Sequence, residues 1–180
     1  MVRAILPFKS TPSFFEIVAP APDAYGPFWL SVTLIFCLAS CSNVASYWDF
    51  VGDRREWVYD FSRVATACTV VEIFLVGLPV LLWLVGKYGA NVPMSLSFLM
   101  CLYGYSTAVF IPATFICMVP LEGLDWVAVL VAMAWSLYFL LTNVWAMISE
   151  HLSKEKMLPL LAVIAASHLI WAILVKLLFF

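Results

Sequence analysis

Residues 24–48 read AYGPFWLSVTLIFCLASCSNVASYW and contain no Asp, Glu, Lys or Arg. A helix of that length, rising about 1.5 Å per residue, crosses the ~30 Å hydrocarbon layer of a bilayer. Working outward, the same pattern recurs four times. Residues 88–121, 127–149 and 157–175 also lack formal charge, and residues 64–86 hold only Glu72. The run at 88–121 opens with Gly89-Ala90-Asn91-Val92-Pro93, which reads as a turn and leaves one span behind it. Pro120 and Gly123 break the chain again before Trp126. The predicted spans are 27–48, 64–86, 96–118, 125–147 and 158–179.

Composition agrees. Of 180 residues, 65% are hydrophobic and 11% charged, where a soluble domain carries about 25% charge. A soluble fold could not hide that much apolar surface. Nine Lys and Arg against eleven Asp and Glu exclude a nucleic-acid binder driven by bulk positive charge. The 16% aromatic content excludes a disordered chain. The fold class is all-α: a polytopic membrane protein, a bundle of five transmembrane helices with a short extended amino-terminal segment. Residues 1–26 form that segment and residues 27–180 the five-span domain.

Trp29, Trp48, Trp83, Trp126 and Trp145 fall near predicted span ends, where indole favours the interface. Trp135 and Trp171 fall within spans and are expected inside. The first segment holds Pro7, Pro12, Pro20, Pro22 and Pro27, with Phe8, Phe14, Phe15 and Ile17 expected to rest on the bilayer surface. No secretory signal is expected there. Ala128, Ala132 and Ser136, Ala162 and Ala166, and Cys37, Cys41 and Ala45 make stripes of small residues suited to helix packing. Gly77 and Pro79 should bend the second span, and Pro112 the third. Five spans put the termini on opposite sides. Arg3, Lys9, Lys87, Lys154 and Lys156 on the amino-terminal side face Arg54, Arg55, Arg63 and Lys176 on the other, a balance leaning to a cytosolic amino terminus.

Few residues offer chemistry. The five cysteines include no CxxC pair and read as packing residues. Glu72 lies within the second span, where an acid is expensive and invites a functional reading. It could serve a proton or cation path with His168, or be protonated or paired with His168, Asn143 or Lys176. Asp49 and Asp53 have the spacing of a magnesium-holding acid pair, but Arg54, Arg55 and Arg63 crowd the loop, which reads as a solvated charged segment. No HExxH, GxSxG or phosphate-binding glycine loop is present. No metal, cofactor or catalytic residue is assigned.

Two stretches stand out. Asp23-Ala24-Tyr25-Gly26-Pro27-Phe28-Trp29 leads into the first span, with Gly26 permitting a tight turn and Pro27 suited to starting a helix. Tyr103-Gly104-Tyr105-Ser106, with Phe110-Ile111-Pro112 behind it, lies in the third. Gly104 permits close approach, and Tyr103 and Tyr105 need hydrogen-bond partners if buried.

These two motifs, in this order and with five spans, resemble the signature of the Yip-domain family, Golgi membrane proteins that interact with Ypt/Rab GTPases. Ala24 departs from the leucine usual there. The resemblance implies a non-enzymatic trafficking factor of Golgi and endoplasmic-reticulum membranes, acting in vesicle-mediated transport. It implies a cytosolic amino terminus and a lumenal carboxyl end. Implied partners are prenylated Rab/Ypt GTPases and other Yip-type proteins, in homo- or hetero-oligomers. Asp23, Tyr25, Gly26, Pro27, Tyr103, Gly104, Tyr105 and Pro112 are the candidate partner-binding or motif residues. Family members often carry a longer cytosolic amino-terminal region, and about 26 residues precede the first span here. GTPase contact would then shift to the loops at 87–93 and 148–157. The alternative function is a small oligomeric transporter or channel using Glu72 and His168. A third is a magnesium-dependent lipid transferase using Asp49 and Asp53.

Overall fold

The computed structural model describes Phe14, Val18 and residues 20–53, 55–89, 94–121, 123–149 and 151–180. Among them there is no strand. Five helices are long and apolar enough to cross a membrane: α1 (Tyr25–Asp49), α2 (Ser62–Gly89), α3 (Leu96–Cys117), α4 (Leu124–Ile148) and α5 (Lys154–Phe179). Each matches a predicted span to within a few residues. The largest difference is at α5, which starts four residues early. Its first turn takes up Lys154, Glu155 and Lys156, whose charges sit at the end of the helix, where the bilayer gives way to water.

Two helices deviate from regular geometry where proline removes a backbone donor. In α2 a five-residue π-helical turn, Ile73–Gly77, directly precedes the Leu78-Pro79 step. In α3 a 3-10 turn, Thr107–Val109, precedes Phe110–Cys117, which contains Pro112. Proline cannot donate to the carbonyl four residues back, so the chain rewinds locally. Thr107 Oγ1 donates to the Gly104 carbonyl at 2.7 Å, taking up an acceptor near the break.

The core is built from all five helices. Leu34 and Leu38 of α1, Val71 and Phe74 of α2, Phe98 and Leu102 of α3, Phe139 and Leu140 of α4, and Ile164 and Val175 of α5 are buried together. Ala128, Ala132 and Ser136 face inward as expected, and Ser136 Oγ reaches the Ser106 carbonyl at 2.7 Å. That bond sets α4 against α3. The Ala162 and Ala166 stripe instead faces outward, because Ile164, His168 and Trp171 take the inner side of α5. Trp171 is interior, stacked on Phe74 with ring centroids 4.3 Å apart and donating to the Val70 carbonyl. Trp135 is only half-buried.

The amino-terminal expectation is corrected at Phe14 and Val18. Phe14 and Val18 are helical rather than extended, and Phe14 is buried rather than resting on the bilayer. Its ring meets Tyr105 at 5.5 Å and Phe139 at 5.0 Å, so it fills a gap between α3 and α4. Phe8, Phe15 and Ile17 lie outside the described residues, as do Ala90, Asn91, Val92 and Pro93 of the expected turn. Gly89 ends α2 as helix.

The loop between α1 and α2 is more fastened than a solvated charged segment. Asn43 of α1, buried, accepts the Asp60 amide at 2.8 Å and donates to the Asp60 carbonyl at 3.1 Å. Arg63 donates to the carbonyls of Ser42 and Phe179 at 3.0 and 3.3 Å, tying α2 to α1 and α5. Tyr47, Trp57, Tyr59 and Phe61 follow one another in edge or tilted ring contact along the loop. At the same end Lys176 of α5 pairs with Asp125 of α4.

Candidate partner-binding site at the head of the first helix

Asp23 stands two residues before α1, and its carboxylate organises the turn. Oδ1 accepts the Tyr25 amide at 2.8 Å and Oδ2 the Gly26 amide at 3.2 Å. These are orphan donors of a helix start, and a carboxylate there is also favoured by the helix dipole. Oδ2 accepts a third bond, 2.6 Å, from the Tyr105 hydroxyl of α3. That hydroxyl is the main reason the Asp23 carboxyl is held below the usual carboxylate range, with the two amides adding to it.

The glycines explain why the two stretches fit. A Cβ on Gly26 would collide with the Tyr105 hydroxyl and stand 2.7 Å from its ring carbon Cζ. A Cβ on Gly104 would run into the Pro27 ring and stand 2.9 Å from the Pro27 Cα. Each motif thus supplies one glycine that clears the space for the other motif's side chain. Gly104 is the ninth residue of α3, so the head of α1 is recessed by about 12 Å from the amino end of α3 at helical rise.

The motif residues take different places around this joint. Asp23, Gly26, Pro27, Gly104 and Tyr105 make it. Tyr25 is exposed, its ring edge-on to Trp29 at 6.1 Å. Tyr103 points the other way, into the core against Phe74 at 5.2 Å, and its hydroxyl has no partner among the described residues. Pro112 lies further along α3 beside α4 and takes no part. Phe14, which the sequence does not single out, backs the Tyr105 ring.

Glu72, Asn143 and His168 are not brought together. Glu72 faces outward and has no hydrogen bond or ion pair among the described residues. His168 is fully buried between Phe74, Phe110 and Trp171, and the Met133 backbone lies near it but outside hydrogen-bond geometry. Asn143 donates to the Phe139 carbonyl of its own helix. Lys176 is taken by Asp125. The pairing of Glu72 with His168, Asn143 or Lys176 is therefore corrected. Glu72 sits instead beside the joint, lining a cavity of about 250 Å3 with Asp23, Pro27, Phe28, Ser31 and Met100. The outward turn of Glu72 follows from helix phase: Val71, Phe74 and Leu75 take the inner face of α2.

Asp49 ends α1, and Asp53 accepts the Arg55 amide at 3.0 Å within its own loop. Among the described residues no three His, Cys, Asp or Glu side chains converge as a metal site.

The Yip1 domain model matches residues 4–175. The chain belongs to the Yip1 domain family. It is 33% identical over 180 residues, all of this chain and 50% of the relative, to "Protein YIPF1 homolog" of Dictyostelium discoideum. It is 30% identical over 112 residues, 62% of this chain and 45% of the relative, to "Protein YIP5" of Schizosaccharomyces pombe. The chain spans about half the length of these curated relatives. No solved structure gives a significant match. A Yip1 domain on five apolar helices makes this an integral membrane protein, and the family points to membrane trafficking.

Proposed function

We propose that this Yip1-domain chain is a non-enzymatic trafficking factor of Golgi and endoplasmic-reticulum membranes. It holds prenylated Rab-type GTPases, other Yip-type proteins, or both, during vesicle-mediated transport. Its amino terminus is cytosolic and its carboxyl end lumenal. The observation that carries the reading is the joint itself. The two motifs that resemble the family signature meet through Asp23, Tyr105 and the Gly104–Pro27 contact. They leave Tyr25, Phe28 and Trp29 exposed on the amino-terminal side. Exposed aromatic side chains beside an ordered turn are the kind of surface that anchors a protein partner. Lys87, stacked over Trp83 at 4.7 Å, and exposed Lys154 and Lys156 lie on the same side and supply cationic rim contacts.

The test is a detergent pull-down on the tagged full chain with purified prenylated and unprenylated Rab pools. Recovery of the prenylated form alone is expected, and it should disappear when Tyr25, Gly26 and Pro27 are together replaced by alanine in a variant that still inserts. Equal recovery of both pools, or undiminished recovery by the triple variant, would overturn the role given to the joint.

A further inference from the structure

The outward face of α2 mixes apolar side chains with small and hydroxyl residues and carries one acid, Glu72. Only 28% of the most apolar stretch of α2 is buried, as in α5, against 61% for α3. The exposed positions in its first half are Ser62, Val64, Ala65, Cys68, Thr69, Glu72 and Ile73, followed by Val76 and Gly77. Lipid-facing positions favour large apolar side chains, whereas small and hydroxyl residues let another helix approach closely. Glu72 is the eleventh of 28 residues, so it lies near the bilayer midplane. An acid there is tolerated when it meets a partner. Asp23, which lines the same cavity, already accepts three hydrogen bonds, while Glu72 accepts none among the described residues. The cavity they share opens on this flank, between α1, α2 and α3. The π-helical turn at Ile73–Gly77 starts at the next residue and re-aims this face.

We propose that this flank binds a transmembrane helix of a different membrane protein, one that carries a Lys or Arg near its midpoint and places that cation against Glu72. Charge selects this occupant over a second copy. Among the described residues, the exposed cations are Arg55, Lys87, Lys154 and Lys156, all in loops or at helix ends, and Lys176 is buried with Asp125. A second copy would bring no cation to the midplane. The proposal rests on the adaptor reading and names the chemistry of one partner. It concerns the membrane interior, whereas Rab recovery reports the cytosolic side, so either can fail alone.

The test uses the full chain, fluorescently labelled and reconstituted in neutral phosphatidylcholine vesicles. The probes are synthetic leucine-alanine transmembrane peptides with Lys, Gln or Leu at the central position. Energy transfer should show the Lys peptide associating roughly fivefold more tightly than the Leu peptide, the size of a modest interhelical polar contact. Glu72→Gln should reduce the Lys preference to that of the Gln peptide, while helicity and monodispersity in detergent stay unchanged. Equal association of the Lys and Leu peptides would overturn the proposal, as would a Lys preference that survives in Glu72→Gln. Self-association of the wild-type chain that is lost in Glu72→Gln would assign the flank to a second copy and overturn it too.

Discussion

Gly26 and Gly104 are where a single methyl group has the largest predictable effect. In Gly104→Ala the new carbon meets the Pro27 ring and its Cα, and the backbone atom cannot swing aside. Overpacking of this kind costs about 1–3 kcal/mol. Thermal unfolding in detergent should show that loss. Gly104→Ala with an unchanged unfolding midpoint would mean that α1 and α3 stand further apart. Asn43 is a second such residue. In Asn43→Leu the Asp60 amide and carbonyl lose their partners at once, at a cost of about 0.5–1.5 kcal/mol for each part-buried hydrogen bond. The loop should then be cut faster by trypsin at Arg55. An unchanged cleavage rate would contradict the clamp. The close approach at Gly104 was legible, though not that Pro27 makes it; the role of Asn43 was not legible locally. A lone Asn in an apolar run looks like a tolerated polar residue, and only its 17-residue reach to Asp60 gives it meaning. The one available signal was its cost inside a membrane.

Element boundaries follow from water and lipid more than from propensity, which is why all five spans were legible from missing charge. What lay beyond the sequence was helix phase. Small-residue spacing read Ala128, Ala132 and Ser136 correctly as an inner stripe, yet placed Ala162 and Ala166 inside when larger residues own that face of α5. Phe14 was misplaced for a related reason: an apolar residue near a membrane looks the same whether it anchors at the surface or fills a gap. At the far end of the bundle, Asp125 and Lys176 fasten α4 to α5. Lys176→Met alone should cost on the order of 3 kcal/mol, since it strands a largely buried carboxylate. Adding Asp125→Leu should recover most of that loss in the same unfolding assay; additive losses would show that the pair does not act as a unit. The loop between α1 and α2 adds a pH dependence. The Ser62 hydroxyl, and next its amide, hold the Asp60 carboxyl below its ordinary value of 3.8. A depressed carboxyl contributes stability above the unfolded value that is lost as pH falls through the folded one. Fastening of this loop should therefore be constant from pH 7 to about 5 and weaken below about pH 4. Trypsin is inactive there, so pepsin cleavage at pH 2 and 4 reports it, and Asp60→Asn should flatten the difference.

At the scale of the molecule, five spans place the α1–α2 loop and the α4–α5 loop on opposite faces. Cysteines introduced at Val51 and Ser153, both exposed, should react with an impermeant maleimide from opposite sides of sealed vesicles. Labelling from one side would remove a span. The bundle is further ordered by the Asp23–Tyr105 bond, which joins positions 82 residues apart. Both motifs were legible as motifs. Their meeting was not, because spacing along a chain does not say which helices are neighbours. That meeting underlies the surface assigned to partners and the cavity beside Glu72. A double-mutant cycle in Asp23→Asn and Tyr105→Phe measures it directly, read as unfolding free energy in mixed micelles. An exposed hydrogen bond to a charged acceptor predicts a coupling of about 1–1.5 kcal/mol between the two substitutions. Strictly additive effects, within about 0.5 kcal/mol, would mean that the two motifs do not hold one another and would contradict the account.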